Sequence, residues 1–226
     1  GDDLNHNGAF FLSQNFNFFF RFAQRVDDPL REEMRGFAFK TADGYDFFLR
    51  MGPLGNSDTL LLKGRAPEWT EFLQHPTYDA YWQARNIRPH LKGVRCAVMT
   101  VGGWYDAEDL FGALNTYSTL EKLNAGRQSN RLVMGPWTHG NRALTFAGEA
   151  DFGPNATFGD NVAPTWLEFR RRWFDRWLKG EENGIEAEPR VRIFLMGGGS
   201  GTRTEERRFD HGGRWVGATD WPLPGT

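Results

Sequence analysis

"VMTVGGWYDAEDLFGALNTY", Val98–Tyr117, decides the fold. Its first half is apolar and closes on Gly102 and Gly103, the pattern of a buried strand. From Leu110 onward, Leu110, Phe111, Leu114, Tyr117 and Leu120 recur at helical spacing. A second short apolar run, "NRLVMGPW" (130–137), follows and again closes on Gly and Pro. Strand, helix, strand is a parallel α/β unit whose two strands are expected to be neighbours. In open α/β sheets, ligands sit outside the carboxyl ends of the strands. Asp106 falls there after the first run, and His139, in "VMGPWTHGN", falls at the same end of the second. One sheet rim would then present a carboxylate and an imidazole, with Asp106 holding His139 in one tautomer and stabilising its protonated form. An aspartate before a helix is also a common cap for free N–H groups, so both uses stand open for Asp106.

Outward from this unit the chain changes character. Residues 1–8, "GDDLNHNG", are polar and turn-like. "AFFLSQNFNFFFRFAQR" (9–25) predicts a helix that is apolar on more than one face. "DPLREEMRGF" places Pro29 near a helix start. "APEWTEFLQHPTYDAYWQARNI" (66–87) predicts two short helices split at Pro76, with Thr77 as N-cap of the second. Downstream, "APTWLEFRRRWFDRWLKG" (163–180) predicts an amphipathic helix with Trp166, Phe169, Trp173 and Trp177 on one stripe and Gly180 at its end. "PRVRIFLMGG" and "RRFDHGGRWVG" read as strands with glycine turns.

Composition narrows the function class. With 226 residues, the chain can bury a sizeable core, and its nine tryptophans and twenty phenylalanines predict deep aromatic packing or an aromatic-lined pocket. A formal charge of −2 offers no basic field for nucleic acid or an anionic membrane surface. No apolar run approaches membrane-spanning length. The single cysteine, Cys96, lies inside an apolar run and is expected to pack as a small hydrophobe. Compartment and oligomeric state are not readable, so a homo-oligomer stays open.

"GGWYDAEDLFG" and "LVMGPWTHG", with "HPTYDAYW" upstream, resemble the S15 or CocE/NonD family of serine hydrolases, a group of esterases, acylases and Xaa-Pro dipeptidyl-peptidases. The resemblance extends to "GDDLNHNGAF" at the start and "WFDRWLKG" near residue 180. It implies a Ser-Asp-His triad in which the Asp of "GWYD" is Asp106 and the His of "GPW-x-H" is His139. It also implies cleavage of a small ester or amide through an acyl-enzyme, with no metal or organic cofactor. The α/β-hydrolase chain order of Ser, then Asp, then His fits. Ser13, Ser57, Ser118, Ser129 and Ser200 are the serines, and none has glycine at both minus two and plus two, as a G-x-S-x-G elbow requires. The nucleophile is therefore expected before residue 1, and the chain alone is expected to be inactive.

The expected fold class is α/β: a partial α/β-hydrolase fold with a helical cap, followed by the start of a β jelly-roll. Residues 1–8 would end an upstream core segment and 9–90 would form the cap. Residues 91–186 would carry the triad Asp and His, and 187–226 would open the jelly-roll. A Xaa-Pro dipeptidyl-peptidase and a non-catalytic α/β module are the alternatives.

Other residues carry two readings each. Trp104, Tyr105 and Trp137 flank the catalytic candidates and either line an acyl pocket or pack in the core. Glu108 and Asp109 either receive the ammonium group of a substrate with a free amine or are acids of a first helical turn. Asp79 is expected to bond to backbone or to a neighbouring side chain. "DLNHNG" (3–8) matches half of a calcium loop, but Gln14 stands where the closing Glu should be, which argues against calcium.

Overall fold

The computed structural model describes residues 4–6, 8–22, 37–139, 156–157, 162–199, 201–203, 205, 207, 209–210 and 212–224. The helix start expected at Pro29 lies outside them. The chain divides into a helical unit, Asp3–Asn86, and a sheet unit, Ile87–Thr226.

The helical unit opens with a two-residue hairpin, β1 (Asn5–His6) against β2 (Ala9–Phe10). Among the described residues, four helices follow: α1 (Leu12–Phe22), α2 (Gly44–Met51), α3 (Pro67–Leu73) and α4 (Ala80–Ala84), with a π-helical turn at Asp58–Leu62. The phenylalanine-rich segment forms its core. Phe16, Leu62, Ala66 and Trp69 are fully buried, with Phe10, Phe19, Phe37, Phe39 and Phe48 packed around them. Phe16 meets Phe37, Phe48 and Trp69 edge-on at centroid distances of 5.0, 5.6 and 5.7 Å, the tilted geometry that aromatic quadrupoles favour. The Trp69 indole N–H donates to Ser57 Oγ at 2.7 Å inside this core.

Leu4 is tied to the start of α1 by hydrogen bonds. The carbonyl of Leu4 accepts from Phe11 N and from Asn15 Nδ2, both at 3.1 Å. The second short helix is capped by Asp79, not by Thr77. Both are good N-cap residues two positions apart, and Asp79 wins because its Oδ1 accepts from Tyr81 N at 3.0 Å while Oδ2 binds His75 Nδ1 at 2.6 Å. Asp79 thus makes the structural bonds expected of it, and the neighbouring His75 holds its carboxyl below the usual range.

The sheet unit is built on β3 (Val98–Gly103), α5 (Leu110–Asn124) and β4 (Asn130–Gly135). A short β5 (Ala156–Thr157) and α6 (Val162–Lys179) come next. β6 (Val191–Leu195), β7 (Phe209–Asp210) and β8 (Arg214–Ala218) follow. The central sheet runs β3-β4-β6-β8, the first three strands parallel and β8 antiparallel to β6, while β5 pairs with β7 apart from it. Successive residues of β4 face opposite sides. Leu132 and Met134 pack with Tyr117 of α5, and Val133 packs with Trp166, Phe169 and Trp173 of α6. Helix α6 ends at Gly180, whose φ of 76° is the left-handed conformation a C-terminal glycine supplies. This is the expected mixed α/β fold with a central sheet.

β6 and β8 extend the central sheet beyond β4. Arg131 fastens that junction. It is almost wholly buried and donates to the carbonyls of Ile185, Pro189 and Glu188 at 2.7, 2.9 and 3.1 Å. Cys96 is exposed, because β3 starts only at Val98 and the cysteine sits in the loop before it. Among the described residues, no helix is long and apolar enough to cross a membrane.

Candidate active site

The site lies where β3 and β4 end. The strands are paired in register to their last residues, Gly103 opposite Gly135. Beyond the glycines the two chains stay joined: Trp104 N donates to Gly135 O at 2.9 Å, and Tyr105 N donates to Trp137 O at 3.0 Å. Glycine is required at both ends. A Cβ on Gly103 would lie 2.0 Å from Trp137 O, and one on Gly135 would lie 2.2 Å from the Trp137 ring. The two glycines therefore let the segment after β4 fold back over the end of β3. That fold sets His139 beside Asp106.

Asp106 is buried, its side chain only 1 % exposed, whereas the His139 side chain is 52 % exposed. The two oxygens of Asp106 do different work. Oδ1 accepts from Glu108 N and Asp109 N, each at 2.9 Å, and so closes the turn that leads into α5. Oδ2 faces His139 Nδ1 at 3.2 Å. Asp106 therefore caps the turn with one oxygen and meets the imidazole with the other.

Two further carboxylates converge on the imidazole. Asp109 Oδ2 lies 3.4 Å from Nδ1, and Glu108 Oε2 lies 3.6 Å from Nε2. Neither residue is in the first turn of α5, which starts at Leu110; both sit in the turn before it. The tight Asx turn made by Asp106 aims them at His139. Asp106, Asp109 and His139 each offer a ligand atom within 4.8 Å of the others, so the group also has the composition of a cation site.

The aromatic candidates pack against the two faces of the sheet. Trp137 is fully buried and packs against Trp166 and Trp215 at 5.5 and 5.8 Å. Tyr105 packs against the same cluster, and its partial burial raises the phenol's pKa. Trp104 packs on the α5 side of the sheet, its indole N–H donating to Phe194 O at 3.0 Å. Trp137 is a core residue, while Trp104 and Tyr105 are partly buried and pack against the core clusters. Sequence reasoning missed the His75–Asp79 pair, although its i,i+4 spacing was visible, and missed Arg131, signalled by a lone cation in an apolar strand.

The X-Pro dipeptidyl-peptidase (S15) family matches residues 3–141, more than half of the chain. Cocaine esterase of Rhodococcus sp. (strain MB1 Bresler) is 34% identical over 167 residues, covering 73% of this chain and 25% of that protein. An α-amino acid ester hydrolase superposes with a TM-score of 0.69 at 26% identity, over 98% of this chain and 33% of its own. An aminopeptidase of the marine sediment archaeon Thaumarchaeota archaeon superposes with a TM-score of 0.73 at 24% identity, over 99% and 33% of the two chains, a likeness of fold. The chain thus spans a quarter of the curated relative and a third of each solved structure.

Proposed function

The chain belongs to the X-Pro dipeptidyl-peptidase (S15) family, and on that premise we propose that it is part of a serine acyl hydrolase, with Asp106 and His139 as two members of its triad. The observation that carries this reading is the 3.2 Å approach of His139 Nδ1 to Asp106 Oδ2 at the ends of two in-register parallel strands. The serine would come from a G-x-S-x-G elbow preceding residue 1 in the whole protein. It attacks an ester or amide carbonyl as His139 Nε2 takes its proton. His139 returns that proton to the leaving alcohol or amine, and water then repeats the attack on the acyl-enzyme. Asp106 keeps the Nδ1–H tautomer in place, so that the Nε2 lone pair faces the reaction, and balances the charge the ring gains. In the same reading the helical unit is the cap and the sheet unit is the later part of the hydrolase core.

The carboxylates of Glu108 and Asp109 support a substrate with a free ammonium group, because they place negative charge around the imidazole, Glu108 beside Nε2 and Asp109 beside Nδ1. An α-amino ester or an N-terminal Xaa-Pro dipeptide would meet that requirement.

The test uses the full-length protein with p-nitrophenyl esters, α-amino esters and Xaa-Pro anilides. Turnover should be lost on treatment with a serine-directed phosphonylating reagent and in His139→Ala. Retention of turnover in His139→Ala would refute the triad assignment. Glu108→Gln should raise KM for the amino-bearing substrate and leave KM for the plain ester unchanged; equal effects on both would remove the ammonium reading.

A further inference from the structure

We propose that the rim formed by Asp106, Asp109 and His139 is a zinc site, and that zinc bound there shuts the enzyme off. The distances carry the argument. Tetrahedral zinc with bonds to imidazole nitrogen and carboxylate oxygen near 2.0–2.1 Å needs ligand atoms about 3.3 Å apart. His139 Nδ1 lies 3.2 Å from Asp106 Oδ2 and 3.4 Å from Asp109 Oδ2, and all three ligand atoms fall within 4.8 Å of one another. Two edges of a coordination tetrahedron are already at the required length. The Asx turn made by Asp106 Oδ1 fixes the backbone of Asp109, so two of the three ligands are held before any ion arrives.

The partner at the other ring nitrogen gives a second, independent indication. A zinc-ligating imidazole usually donates its remaining N–H to a carboxylate. With zinc on Nδ1, the proton must sit on Nε2, and Glu108 Oε2 stands 3.6 Å from that atom. The site therefore holds an inner set of one nitrogen and two carboxylates, an outer carboxylate, and an open fourth position for water. Nitrogen plus few carboxylates selects zinc over magnesium and calcium, which want more oxygens.

Inhibition follows from the tautomer. A general base needs the Nε2 lone pair, and Asp106 secures it by accepting the Nδ1 proton. Zinc displaces that proton from Nδ1, Nε2 takes one up, and the lone pair that would receive the serine proton is occupied. No oxidation or bond cleavage is involved. The inhibition half of this inference rests on the hydrolase reading, whereas the binding half does not.

Full-length protein is titrated with zinc chloride in a calorimeter, and ester turnover is followed over the same range. One zinc should bind per chain, turnover should fall with the same midpoint, and EDTA should restore it. Magnesium and calcium at equal concentration should do neither. Asp109→Asn, a partly exposed position, should weaken zinc binding at least tenfold, and Glu108→Gln by about 10–100-fold. The nitrogen-15 spectrum of His139 should shift its protonated signal from Nδ1 to Nε2 on addition of zinc. If zinc binding is unchanged in both Asp109→Asn and His139→Ala, the site is overturned. If zinc binds as described but the protein has no turnover to inhibit, the hydrolase reading fails and the site stands. If zinc binds while turnover continues, the regulatory half is overturned.

Discussion

Replacing Gly103 with alanine tests whether close approach of two chains builds the site. The added methyl would stand 2.0 Å from Trp137 O, 2.7 Å from its carbonyl carbon and 3.3 Å from its Cα. All three atoms are backbone, so no rotamer change relieves the clash. Ordinary van der Waals contact begins at 3.4 Å, so the segment carrying Trp137 must retreat by about 1.4 Å, the size of error that costs around 10²-fold in rate when it reaches the chemistry. That retreat breaks the bond from Tyr105 N to Trp137 O and carries His139, two residues on, away from Asp106. We expect kcat to fall about 100-fold in the full-length enzyme, and stability to fall by about 1–3 kcal/mol, the usual cost of overpacking. Stopped assays with a p-nitrophenyl ester and urea unfolding followed by tryptophan fluorescence measure the two effects. Gly112→Ala is the control, since its methyl meets only Asp109 Oδ1 at 3.9 Å and alanine favours the helix by about 0.5–1 kcal/mol. A Gly103→Ala enzyme with wild-type turnover and unfolding midpoint would refute the idea that the glycine contact sets the rim.

Asp106→Asn should lower kcat by about 10⁴-fold with little change in unfolding midpoint, because the amide oxygen still caps Glu108 N and Asp109 N while the tautomer preference of His139 is lost; pre-steady-state and urea measurements separate the two. Phe16→Ala should destabilise the helical unit by about 3–5 kcal/mol, read as faster hydrogen exchange at the Trp69 indole, since it empties the centre of the aromatic cluster. The Asp79 carboxyl is held below its ordinary range chiefly by the hydrogen bond with His75. Its stabilisation is therefore present above the unfolded-state pKa and lost as pH falls through the lower folded value. Urea midpoints taken down to about pH 3 should show this loss in the wild type and less of it in Asp79→Asn.

What could be read from sequence was what is local and periodic. The apolar run to Gly103, the spacing of Leu110, Leu114 and Tyr117, and the run to Gly135 give β3, α5 and β4, and the parallel connection then puts Asp106 and His139 on one rim. Phe111 fits the same spacing but is exposed, since helical period alone does not say how wide the buried stripe is. β6 and β8 were visible as strands, but their membership of the central sheet depends on pairings with no local signature and on the buried Arg131. Trp104 and Trp137 look like pocket residues from adjacency in sequence. Residues after a strand end can turn to different sides of the sheet: Trp137 is buried in one cluster and Trp104 packs, partly buried, against the other. The direction of Glu108 and Asp109 was hidden because it depends on an Asx turn whose second oxygen is used elsewhere.

If Asp106 is a triad member, its two oxygens join fold and turnover at a single residue. One oxygen is a fastener for main chain and the other a guide for the imidazole, with a side chain just long enough to serve both. Glutamate, one methylene longer, would have to abandon one partner to reach the other. On the triad reading, a substitution at residue 106 chosen for heat resistance must also keep an acceptor toward His139.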